Sequence, residues 1–182
     1  KEFFDYAQKN PGKITLLDDL RETLGIGLIV NGKSVNSRDE ADIKAAEEFI
    51  LAQKPNVAAF RYDVMPLVES GDIGAAHYYV GAVLNVNKRP DELGFVIPSE
   101  GATMYQENIC MLKTAPNKEN ALKFMEFMMR PDISALNTTI LTNGSVNKAA
   151  VPLLPPELKD NPSINPPEEG RAKLQIFEDL GP

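Results

Sequence analysis

Two rhythms of apolar and polar residues alternate along this chain, and the switches between them mark its elements. Phe3 to Lys9 reads as the end of a helix, Pro11-Gly12 as a turn, and Lys13 to Leu17 as a short strand. Asp18 and Asp19 are good helix-capping residues, so a helix is expected from about Leu20 to Val30, with Asn31-Gly32 supplying its left-handed stop. Ser37 and Glu40 have the spacing of a capping box, with Ser37 as N-cap. Ile43, Ala46, Phe49 and Ile50 follow at helical spacing and predict a second helix.

Val57 to Phe60 resembles a strand, a short helix is expected over Val64 to Glu69, and Asp72 to Tyr79 reads as a strand entered through Ser70-Gly71. Leu93 to Pro98 is a further strand candidate. Strands alternating with helices predict an α/β fold with a mainly parallel sheet. Farther on, Asn117 is placed to cap a helix carrying Ala121, Leu122, Met125, Met128 and Met129 as an apolar stripe, which at this spacing is expected in a core. Pro131 ends that helix and, with Asp132, starts another. The prolines crowded between Val151 and Pro167 predict an irregular connector.

Composition narrows the classes of function. At 182 residues, 43% apolar and 25% charged, the chain has room for one or two small domains. Its net charge of −7, from 26 acidic against 19 basic residues, argues against nucleic acid as a partner. Cys110 is the only cysteine, and its place in the run Ile109 to Leu112 predicts a buried small hydrophobe. No apolar run approaches the length of a membrane span, and Lys1 to Asp5 lacks the pattern of a secretion signal. Because the chain opens on the end of a helix, it is expected to be cut from a longer exported precursor.

Little in the sequence suggests catalysis. One histidine and one cysteine offer no metal-ligand spacing, no nucleophile stands in a recognisable catalytic motif, and no glycine-rich phosphate loop is present. No enzyme activity, metal or cofactor is expected. Asp19 and Glu22 are more informative, since a separation of three residues puts both carboxylates on one side of a helical first turn. The helix dipole there favours negative charge, so both are expected to be ionised at neutral pH and able to hold an ammonium group between them. Acidic residues in a first turn also serve simply as caps. Gly101 to Asn108 is a second candidate, in which Tyr105 offers a ring face and Glu107 another anchor, against the alternative of an exposed loop. His77 and Tyr78, at the end of a strand, are placed to face a site.

Several stretches resemble one family when taken in order. They are Gly12 to Glu22, Pro55 to Phe60, Glu69 to Gly74, Ile97 to Gly101, and Ala115 to Leu122 leading to Met129-Arg130-Pro131-Asp132. Together these are similar to the spermidine/putrescine-binding proteins of bacterial ABC importers. The resemblance implies a type II periplasmic-binding-protein fold of two hinged lobes, located in the periplasm or outside the cell. Residues 1–103 would form the second lobe, and residues 104–182 the crossover and the returning segment of the first lobe. It further implies a polyamine ligand and a membrane permease as partners.

By the same resemblance, the family's acidic pair falls on Asp19 and Glu22, and its crossing pair falls on Tyr105 and Glu107. The last two stand where these binders usually have tryptophan and aspartate. His77 falls near another position that is usually tryptophan, and Asn143 near one that is often tyrosine. With the opening half of the first lobe absent, the segment after residue 104 is expected to expose apolar surface and either to pair with a second copy or to be disordered. Alternatives within binding are a different small ligand in the same fold, or a ligand-sensing domain of a signalling protein.

Overall fold

The computed structural model describes residues 1–181. Its first half is built on β1 (Ile14–Leu16), an all-apolar run apart from Thr15. Ile14, Thr15, Leu16 and Leu17 are all fully buried, which is possible only for a strand covered on both faces. β2 (Val57–Phe60) and β3 (Ala75–Ala76) pair with it in parallel on either side, giving the order β2-β1-β3. Ile14 faces Val57 on one flank and Ala75 on the other, with a bulge between Ile14 and Thr15 on the β2 side.

Parallel neighbours need helical crossovers, and the chain supplies them. α1 (Glu2–Lys9) precedes the sheet, α2 (Leu20–Val30) and α3 (Glu40–Gln53) connect β1 to β2, and α4 (Met65–Glu69) leads to β3. Phe4, Leu16 and Ile50 form the core under these helices, joined by Ile26, Phe49 and Val57. Phe4 and Phe49 meet edge to face at 5.0 Å. Gly27 sets the approach of α2 to α3. A Cβ there would lie 2.8 Å from the carbonyl oxygen of Ala46, so only glycine fits.

The second half is assembled from shorter pieces. α5 (Val83–Val86) is followed by β4 (Ala102–Met104), then α6 (Lys118–Met128), α7 (Pro131–Leu141), α8 (Pro156–Lys159) and α9 (Glu168–Arg171), and β5 (Leu174–Ile176) completes the order. β4 and β5 form a separate parallel pair, with Thr103 opposite Gln175. α2 packs on β4, where Gly25 leaves space for Phe177 and the Thr103 methyl.

Several expectations are met and others corrected. α2 has the expected span, with Asp19 as N-cap and Gly32 at φ +71° beyond its end. α3, by contrast, is capped by Asp39, whose carboxylate accepts from the Ala41 amide, while the Ser37 hydroxyl donates to Asp42. Only two residues of the expected strand at 72–79 pair in the sheet, since beyond His77 the chain turns away toward a group of tyrosines. Leu93 to Pro98 is not a strand, because Phe95 packs into a helical cluster of Val83, Leu158 and Ile164 instead of joining a ladder. That cluster also shows the proline-rich segment to be more than a connector, as it folds into short helical turns with Leu154, Leu158 and Ile164 buried.

Cys110 is exposed rather than buried, in an irregular stretch with Ile109, Met111 and Leu112 also exposed. The expected apolar stripe of α6 is not a closed core either, since Leu122 and Met129 are exposed and Met125 is only half-buried. Phe124, Phe127, Leu136 and Ile140 are open as well, so the α6–α7 region carries the exposed apolar surface expected after residue 104. The segment is nevertheless folded: α6 and α7 are regular helices, and β5 pairs with β4.

Candidate ligand-binding site

α2 begins where β1 ends, and its first turn carries both candidate carboxylates. Asp19 has extended backbone, and its Oδ1 accepts from the Glu22 amide at 2.9 Å, satisfying one of the orphan donors of the helix start. Its Oδ2 accepts from the Tyr62 hydroxyl at 3.3 Å. Glu22, on the same turn, is only 6% exposed, and its Oε2 accepts a 2.7 Å hydrogen bond from the Thr103 hydroxyl of β4. The two acids share a helical turn but have different surroundings.

Burial is the leading cause of a raised Glu22 pKa, opposed by the Thr103 hydrogen bond and reinforced by the Asp19 charge. Burial thus makes Glu22 a weaker acid than a carboxylate in water. Arg21 points away from both carboxylates, reaching Asn36 and lying 4.6 Å from the centre of the Phe177 ring.

A cavity of about 960 Å³ opens beside Glu22. Its wall includes His77, Tyr79, Tyr105, Glu107 and Asn143. Of the sequence candidates, Glu22, His77, Tyr78, Tyr105, Glu107 and Asn143 therefore meet at one cavity, while Asp19 stands just outside its lining and touches it through the Glu22 amide. The methionines of α6 face the same space: Met125, Met128 and Met129 lie along its wall rather than within a core.

His77 Nδ1 is buried without a hydrogen-bond partner among the described residues, and burial lowers the imidazole pKa to about 4. His77 is thus a neutral ring in the wall near Asp19. Tyr105, 45% exposed at the end of β4, meets Tyr79 edge to face at 5.5 Å, and Tyr79 stacks on Tyr62 at 6.4 Å with an interplanar angle of 16°. Desolvation raises the pKa of all three phenols, helped by nearby carboxylates, so all three remain protonated donors at neutral pH.

Tyr62 and Tyr79 were not among the sequence candidates. The only sequence signal for them was the frequency of tyrosine near 62 and 78–79, with nothing to bring the two segments together. Among the described residues no cluster of three or more His, Cys, Asp and Glu is arranged to hold a metal ion, and no helix is long and apolar enough to cross a membrane.

The parallel α/β half of the chain thus presents carboxylates and phenols to an open cavity. The chain belongs to the bacterial extracellular solute-binding proteins, whose family pattern matches residues 1–166. That family consists of binding proteins rather than enzymes, acting outside the cytoplasm, in line with the expected class and location.

Among similar proteins, the putrescine-binding periplasmic protein SpuD of Pseudomonas aeruginosa is 32% identical over 174 residues, covering 92% of this chain and 47% of that protein. The putrescine-binding periplasmic protein PotF of Escherichia coli is 32% identical over 169 residues, covering 88% of this chain and 46% of that protein. Among solved structures, a putative spermidine/putrescine ABC transporter from Listeria monocytogenes superimposes with a TM-score of 0.88 at 29% identity, covering 98% of this chain and 56% of that one. The fold is therefore that of the type II periplasmic binding proteins, as the resemblance implied. The chain spans about half the length of these relatives.

Proposed function

We propose that this chain forms one side of the ligand cleft of a solute-binding protein that captures a polyamine and delivers it to an ABC permease. The observation that carries this reading is the pairing of Asp19 and Glu22 on one helical turn beside the Tyr62, Tyr79 and Tyr105 rings. An ammonium group donates up to three hydrogen bonds, and a carboxylate offers several acceptor positions even after accepting from Tyr62 or Thr103. Phenol rings supply faces on which methylenes pack and cations are attracted. The names of the relatives, which specify putrescine or spermidine, support the same ligand chemistry.

In this reading Glu22 and Glu107 are anchors on the cavity wall, and Asp19 is the anchor just beyond it. Tyr105 packs against the ligand's methylenes, while His77 and Asn143 contribute a neutral ring and an amide where larger aromatics would give a tighter enclosure. Residues 1–103 act as one lobe, and residues 104–182 as the crossover and the returning part of the other. The ligand is held without covalent chemistry, and closure of the lobes presents it to the permease.

Calorimetry of the full-length protein with putrescine, spermidine and a neutral amino acid tests the reading. The diamine and triamine are expected to bind and the amino acid not to, with Asp19→Asn and Glu22→Gln each weakening binding at least tenfold. Binding of the amino acid alone, or unchanged polyamine affinity in both variants, would refute it.

A further inference from the structure

Tyr62 sits on the loop after β2, away from the cavity lining, and no sequence pattern singles it out. Its hydroxyl nevertheless donates to Asp19 Oδ2 at 3.3 Å, while Oδ1 of the same carboxylate is held at 2.9 Å by the Glu22 amide. With one hydrogen bond on each oxygen, rotation of the carboxylate about its terminal bond is restrained from both ends. The ring of Tyr62 is restrained in turn by stacking on Tyr79, which does line the cavity and meets Tyr105. The loop itself is braced by an ion pair of Arg61 with Asp63, 2.7 Å apart.

We propose that Tyr62 is a positioning residue of the ligand site: it donates to Asp19 and stacks on Tyr79, fixing the plane of the Asp19 carboxylate so that its remaining lone pairs are aimed at an ammonium group. This deepens the reading of Asp19 as a ligand anchor and rests on it. The phenol acts through the carboxylate and does not touch ligand. Each carboxylate oxygen has two acceptor positions, so one on each remains open after the Tyr62 and Glu22 contacts are made. A pre-aimed acceptor avoids the ordering cost that a freely rotating carboxylate would meet on binding.

The opposite arrangement, in which Tyr62 occupies the ammonium position and competes with ligand, uses the same contact and makes the opposite forecast. The experiment is a double-mutant cycle in the full-length protein, with putrescine as probe and affinity measured by calorimetry. Tyr62→Phe keeps the ring stack and removes only the hydroxyl. Positioning predicts a three- to tenfold loss of affinity in Tyr62→Phe, and little further loss when the same change is added to Asp19→Asn. Affinity equal to or tighter than wild type in Tyr62→Phe overturns the proposal, as does an equal loss in both backgrounds.

If wild-type protein binds no putrescine, the proposed ligand is wrong, and the Tyr62–Asp19 contact is read directly from the ultraviolet titration of tyrosine. The Asp19 charge and hydrogen bond help to raise the Tyr62 pKa, and the charge also reaches Tyr79, so Asp19→Asn is expected to move phenol titration to lower pH, and most of that movement should be lost in Tyr62→Phe. A titration that Asp19→Asn leaves unaltered overturns the proposal on its own.

Discussion

Thr103→Val separates the buried Glu22 carboxylate from the one side chain that donates to it among the described residues and keeps the shape of the wall. The Thr103 hydroxyl donates to Glu22 Oε2 at 2.7 Å, a short bond to a group only 6% exposed. A hydrogen bond to a charged group contributes about 1.5 to 3 kcal/mol, or about ten- to a hundredfold in an equilibrium constant. That contribution is made to ionised Glu22 with or without ligand, so it cancels from binding wherever Glu22 is already ionised. On the acid side, where free Glu22 carries its proton, an incoming ammonium must drive the proton off, and the missing bond then counts in full.

The expected result is therefore a pH-dependent defect. Putrescine affinity of Thr103→Val should fall about ten- to a hundredfold on the acid side of the Glu22 transition and converge on wild type as pH rises. His77 does not interfere above about pH 5.5, because burial holds its imidazole near 4. Calorimetry in buffers of different ionisation enthalpy should also show proton release on binding at the acid end. A uniform loss at every pH would mean that the substitution merely damages the wall, and no loss at any pH would mean that Glu22 does not meet the ligand.

Other outcomes follow from the same contacts. Burial lowers the His77 pKa from 6.5 to about 4, so the unfolded chain binds the extra proton first as pH falls. Stability present above pH 6.5 should be lost progressively toward pH 4 by on the order of 3 kcal/mol, and urea titrations should find that slope much reduced in His77→Phe. Gly27→Ala forces a methyl to 2.8 Å from the Ala46 carbonyl oxygen and is expected to cost about 1 to 3 kcal/mol in chemical unfolding, with an unchanged midpoint counting against the tight α2–α3 contact. Polyamine affinity should fall with added salt, since exposed and half-exposed ion pairs are screened; a flat profile argues against carboxylate anchors. The isolated 182-residue chain is expected to associate as its concentration rises, through the open Phe124, Phe127, Leu136 and Ile140 surface, and a monomer throughout in sedimentation velocity would refute this.

What the sequence made legible was local. α2 could be bounded because Asp19 and Gly32 carry capping chemistry that depends on nothing else, and β1 because its short apolar run lies between the Pro11-Gly12 turn and the capping residues Asp18 and Asp19. β5 is only three residues long and its partner lies some seventy residues away, so no periodicity announces it. Without β5 in view, the donor that Thr103 supplies to Glu22 was equally invisible. The methionines of α6 have core spacing, but what faces them is a cavity, and spacing cannot tell those apart. Tyr62 and Tyr79 meet because β1 lies between β2 and β3, a property of strand order rather than of any segment.

The pairing of β4 with β5 also sets a timetable. Thr103 is held in place by residues 174–176, and Phe177 fills the space that Gly25 leaves on α2. Some seventy residues of chain separate Thr103 from the strand that holds it. The three strands of the sheet built on β1 are complete by Ala76, well before β5 in chain order, and until β5 pairs nothing fixes the Thr103 donor beside Glu22. Among the described strands β5 comes last in the chain, so the wall that carries Glu22 closes only after the β1 sheet can form.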